Sequence, residues 1–203
     1  MKTLFAALVL AIALPSSTLA QPAATGSTRT TAAGDWPAKT LRMIVPFPPG
    51  SSPDLVARML NDKLGTALGQ PVIVENRPGA GGNLGTALVA KAAPDGYTIG
   101  LSIGGPLAVN KVLYSKLEYD PFRDLAPITL VAASPNVLVV DPKLGAGSVK
   151  EFVALAKSQP GKLNYGSVGN GSASHLTMEL LKTQAGIDIV HVPYPGSPQV
   201  NTA

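Results

Sequence analysis

The chain predicts a mainly parallel α/β fold in two doubly wound units, the second of them incomplete. Three observations carry this. Short apolar runs alternate with helical periods, the joints between them are short and rich in Gly and Pro, and two of those joints share one grammar. The first such joint runs MIVPFPPGSSPD from Met43 to Asp54, and the second runs LNYGSVGNGSASH from Leu163 to His175. Each is an apolar run, a Gly/Ser turn and the start of a helical pattern. Such a junction leaves backbone N–H groups free at a helix start, where the macrodipole also favours negative charge. Together they suggest two halves of a site for a small anion.

The elements follow in order. Residues 41–45 form a strand, and residues 54–68 a helix whose Leu55, Val56, Met59, Leu60, Leu64, Ala67 and Leu68 share one face. Ser52 can cap that helix, Pro53 suits its first turn and Gly69 its stop. Residues 72–74 are a second strand, 84–93 a second helix and 97–102 a third strand. Parallel strands joined by right-handed crossovers put their carboxyl ends on one edge, where ligands gather. A second unit begins near residue 127, with strands at 128–132 and 136–140. Ser148 and Glu151 form a capping box that opens a helix to Lys157, with Val149, Phe152, Val153 and Ala156 on one face. A strand at 162–166, a helix at 172–184 and a strand at 187–192 complete the pattern, and residues 193–203 read as a turn-like tail. The expected division is a signal peptide at 1–20, a disordered leader at 21–39, a first lobe at 40–126 and a partial second lobe at 127–203.

Composition narrows the function. Apolar residues make up 45% and charged residues 14% of the 203, so the chain forms a core. The net charge of +4 comes from scattered Lys and Arg, which argues against nucleic acid as a partner. Lys2, the apolar run Leu4–Leu14 and the small residues at Thr18-Leu19-Ala20 read as an export signal cleaved near Ala20. That run falls short of the roughly 20 residues a bilayer crossing needs, so the cleaved protein is expected to be exported and not membrane-spanning. The chain has no Cys, which excludes disulfides, thiol nucleophiles and thiolate metal sites.

Candidate chemistry centres on the two joints. In the first, Gly50 permits close approach, Ser51 and Ser52 offer hydroxyls and N–H groups, Phe47 offers an apolar wall and Asp54 stands at the helix start. The bland alternative is a capped helix and nothing more. In the second, Gly169 and Gly171 loosen the backbone while Asn170, Ser172 and Ser174 converge on one helix start, an arrangement suited to a carboxylate. His175 and His191 lie on different elements without acidic or thiol partners at ligand spacing, so no metal is expected. The run Gly79–Gly85 has its third glycine one place late for a dinucleotide loop and follows the wrong strand, so no cofactor is expected either. A hydrolase using Ser172 or Ser167 would need a His and an acid on the Ser, and the G-x-S-x-G elbow is missing.

The run from Ile44 to Gly50 with Asp54, Ala57 and Arg58 resembles the substrate-binding proteins of tripartite tricarboxylate transporters, the Bordetella uptake gene family. So do Pro71–Asn83, Ala92–Thr98, Asn136–Val140, Gly161–Tyr165 and His191–Tyr194. The resemblance covers about residues 36–197 and implies a type II periplasmic-binding-protein-like fold of two lobes that close on a ligand. It implies a non-enzymatic periplasmic protein delivering a small carboxylate to membrane permease subunits; the alternative is a periplasmic sensor partner of the same fold. The implied ligand residues are the loops 47–54 and 169–175, with Ser102 and Gly104 after the third strand and Tyr194 beyond the last. Two departures stand out: Ser51-Ser52-Pro53 replaces the usual Gly-Gly-Thr, and Pro195 follows Tyr194 where a Lys is common.

Overall fold

The computed structural model describes residues 36–203, so the export signal and most of the leader lie outside the described residues. The first sheet is built from β1 (Leu41–Val45), β2 (Val72–Asn76) and β3 (Thr98–Gly100), all parallel, in the order β2-β1-β3. Helices α1 (Ser52–Leu68) and α2 (Asn83–Ala90) supply the crossovers. Leu41, Met43, Val45, Phe47, Ala57 and Val72 form its core. The central strand is buried at Leu41, Met43, Ile44 and Val45 and exposed at Arg42.

The second sheet pairs β4 (Asn164–Ser167) with β5 (Val190–Pro193), also parallel. Helices α4 (Val149–Ser158) and α5 (Ala173–Ala185) cover it. Its separate core holds Phe152, Ala156, Tyr165, Ile187 and Ile189. The capping box forms: the Glu151 N–H donates to Ser148 Oγ, while Glu151 Oε2 takes the N–H of Gly147. Between the sheets, a five-residue π-helical turn at Gly105–Val109 leads into α3 (Asn110–Leu113).

Three expectations need correction. Residues 128–132 and 136–140 are not strands: no described strand bonds to them, and Ile128, Leu130, Val137 and Val139 are each more than three-quarters exposed. Their β-branched composition suits a pleated surface, but a strand exists only with a neighbour to bond. On α1, Leu55 and Met59 face outward, and the buried side carries Pro53, Asp54 and Ala57. The tail is not a plain turn either, since Ser197–Thr202 forms the short helix α6, with Pro198 in its first turn.

Candidate functional site

The two joints lie at the carboxyl ends of β1 and β4, and the folded chain brings them to one seam. Phe47 is buried, and a Cβ at Gly82 would come within 2.8 Å of its ring. Across the seam, a Cβ at Gly81 would lie 3.1 Å from the Asn170 carbonyl, and one at Gly105 would lie 3.0 Å from the Gly171 carbonyl. A Cβ at Gly196 would lie 2.9 Å from Pro48, and one at Gly50 would lie 3.5 Å from Pro198. The halves therefore touch through backbone, at positions where glycine allows it.

The first joint closes on itself. Ser51 is the N-cap of α1, yet its hydroxyl donates to the Pro48 carbonyl at 2.7 Å and caps nothing. Asp54 occupies the anion seat instead. Its Oδ2 accepts the Gly50 N–H at 2.8 Å, and its Oδ1 accepts from Asn76 Nδ2 at 2.8 Å and Arg58 Nε at 3.0 Å. Asn76 Nδ2 also donates to the Phe47 carbonyl at 3.0 Å, so the loop is tied at both ends. Burial pushes the Asp54 carboxyl up, but Arg58, the Gly50 N–H and Asn76 outweigh it and hold it below the usual range. Ser51 and Asp54 are both 2% exposed, so they shape the loop from beneath, while Gly50 and Ser52 face outward.

The second joint carries no charge. Ser172 is the N-cap of α5, its hydroxyl accepting the His175 N–H at 3.3 Å and sharing a proton with Ser174 Oγ at 3.1 Å. The Ser174 hydroxyl accepts the Val168 N–H, and His175 Nδ1 accepts the Gly171 N–H at 3.2 Å. Gly169 and Gly171 hold φ of 110° and 79°, conformations that favour glycine. Asn170 is exposed at the tip, and Tyr194 is tied by its N–H to the Ser167 carbonyl. Tyr194 also lines a surface depression with Pro198, Gln199 and Thr202.

Behind this joint the structure gathers what the sequence kept apart. His175 stacks on His191 at 4.2 Å, and His191 stacks on Tyr165 at 4.8 Å. His191 Nε2 lies 2.6 Å from Ser167 Oγ, and the Tyr165 hydroxyl donates to Glu179 at 2.6 Å. Burial, then the neighbouring His175, lowers the His191 pKa and favours the neutral ring. Ser167 is 1% exposed and also takes the Gly169 N–H, so it is a buttress of the turn and not an accessible nucleophile. Ser172 is likewise engaged in capping. Among the described residues, no group of three or more His, Asp and Glu gathers as a metal site requires.

After β3, Gly104 is exposed and Ser102 carries a buried hydroxyl with no hydrogen-bond partner. Asn110 was not among the expected site residues. It is fully buried, and a Cβ at Gly171 would collide with its Oδ1. Its signal in the sequence is a polar residue inside the apolar run Leu107–Leu113. Asn76 and Arg58, which hold Asp54, carry no comparable local signal.

Residues 56–202 match the family described as the tripartite tricarboxylate transporter family receptor. The chain belongs to this family. The chain is 45% identical over 166 residues to Protein BugT of Bordetella pertussis, a match covering 81% of this chain and 51% of BugT. The chain spans about half the length of the curated relatives it matches. Among solved structures, an R. palustris protein with adipate matches at a TM-score of 0.80 and 37% identity, over 83% of this chain and 56% of that one. MatC from Rhodopseudomonas palustris with bound malate gives 0.76 and 34%, over 82% and 57%. The periplasmic binding protein BugD gives 0.69 and 32%, over 82% and 56%. The parallel α/β architecture is thus that of periplasmic binding proteins.

Proposed function

We propose that this receptor binds a small carboxylate at the seam, in the periplasm, for handover to the permease subunits of a tripartite tricarboxylate-type transporter. The observation that carries the reading is Ser102, a buried hydroxyl without an acceptor at the carboxyl edge of the first sheet. A hydroxyl sealed from water lacks a partner at a cost of about 1–3 kcal/mol, and a carboxylate oxygen is the acceptor it wants. The uncharged Gly169–His175 turn at the start of α5 offers the matching helix-dipole surface. The adipate and malate bound by the two R. palustris relatives point to the same ligand class.

In this reading Gly50, Ser52, Ser102, Gly104, Asn170 and Tyr194 line the ligand, and Phe47, Ser51, Asp54, Ser172, Ser174 and His175 hold the loops that present it. The role is capture, not catalysis. Isothermal titration with adipate, malate and citrate tests it on the receptor and on Ser102→Ala. Losing a hydrogen bond to a charged group costs about 1.5–3 kcal/mol, so Kd should rise roughly 10- to 100-fold. Binding of sugars or cations, with indifference to every carboxylate, would overturn the reading.

A further inference from the structure

The two glycines that shape the Gly169–His175 turn are both held from behind by imidazoles. Gly171 donates its N–H to His175 Nδ1 at 3.2 Å. Gly169 donates its N–H to Ser167 Oγ at 3.2 Å, and that oxygen lies 2.6 Å from His191 Nε2. The two rings stack on each other at 4.2 Å with 22° between their planes. The turn therefore rests on one histidine directly and on the other through a single hydroxyl.

An imidazole nitrogen accepts a hydrogen bond only while it carries no proton. The bond from Gly171 thus requires a neutral His175 with its proton on Nε2. With a proton on Nδ1 as well, a donor would face a donor and the hold on Gly171 would be lost. Gly171 is buried, where a lost partner costs more than it does in water. The other ionisable groups around the pair are Tyr165 of β4, stacked on His191, and Glu179 and Lys182, further along α5 from His175. Glu179 is already occupied by the Tyr165 hydroxyl and Lys182, so it offers a protonated His175 no free carboxylate.

We propose that His175 is a proton-sensing positioning residue, which holds Gly171 and the ligand turn in place while neutral and releases them when protonated. The proposal rests on the carboxylate reading above. It makes the grip on a carboxylate weaken in acid, whereas a histidine acting only as a positive charge would strengthen it. Histidine side chains change charge between about pH 5 and 8, so the sign of the effect can be read there.

Magnetic-resonance titration of the isotope-labelled full chain tests the hold without any ligand. At pH 8 His175 Nδ1 should carry no proton, and the Gly171 amide proton should move upfield as the ring titrates in acid. A proton on Nδ1 at pH 8, or a Gly171 amide indifferent to the ring, would overturn the proposal. Calorimetric titration with adipate or malate at pH 8 and 5.5 reads the consequence, with Kd rising roughly 3- to 10-fold in acid. His175→Asn puts an amide oxygen near the place of Nδ1, which accepts a hydrogen bond but does not titrate. This variant should bind as the native chain does at pH 8 and lose most of the rise, any remainder being the ligand's own protonation. An equal rise in both proteins would assign the effect to His191 or the ligand, and tighter binding in acid would assign it to plain charge; either overturns the proposal. If neither ligand binds at either pH, the carboxylate reading falls, and the Gly171 amide still decides whether His175 holds the turn.

Discussion

The joints after β1 and β4 look alike in sequence and are built on opposite principles. The first carries its own anion: Asp54 fills the seat at the start of α1 and is fixed from three sides by Gly50, Asn76 and Arg58. The second is neutral, capped by the Ser172 hydroxyl and backed by a histidine stack. The same Gly/Ser grammar thus yields one loop rigidified by a buried carboxylate and one loop left uncharged. Phosphate- and carboxylate-style turns are recognised by their free N–H groups, and a local acid removes that freedom.

Asp54→Ala attacks the first joint at its pillar. It strands the Gly50 N–H, Asn76 and Arg58 together, and we expect a loss of about 3 kcal/mol, read from urea unfolding. Next comes the seam itself. In Gly105→Ala the new Cβ would press on the Gly171 carbonyl at 3.0 Å, with an expected cost of about 1–2 kcal/mol and faster amide exchange at Gly169–Gly171. An unchanged exchange rate would mean that the halves do not depend on this contact. Ser172→Ala removes only a cap from the neutral joint and should cost about 1 kcal/mol. If it costs as much as Asp54→Ala, the contrast between the joints is wrong.

Acid should separate the joints most gently. His191 has a lowered pKa, so its contribution is complete above the unfolded value near 6.5 and fades as pH falls below it. Asp54 also has a lowered pKa, but its contribution is complete above about 4 and fades only below that. Exchange measured at pH 7, 5.5 and 3.5 should therefore show the second sheet loosening before the first. The reverse order would remove the electrostatic part of the comparison.

Most of the fold was legible because it is local. Alternating apolar runs, the Gly69 stop and the Ser148–Glu151 box each act within one turn of chain. What escaped depends on partners far away. Asp54 is explained by Asn76, twenty-two residues on, and Asn110 by Asn83, twenty-seven residues back. The strands expected at 128–132 and 136–140 failed for the same reason, since β-propensity names a candidate and only a neighbour makes a strand. Of the expected site residues, Ser51 and Asp54 are buried beneath the first loop, while Gly50, Ser52 and Gly104 are exposed.

The unpaired ribbon at 128–140 has an effect on any solvent-based view of this protein. It is among the most apolar stretches of the described residues and contains no charged residue, yet its amides bond to no described strand. Protection from exchange follows hydrogen bonding and not hydropathy. This apolar segment should therefore label with deuterium almost as fast as a loop, so a map of exchange rates and a map of hydropathy would be near-opposites there.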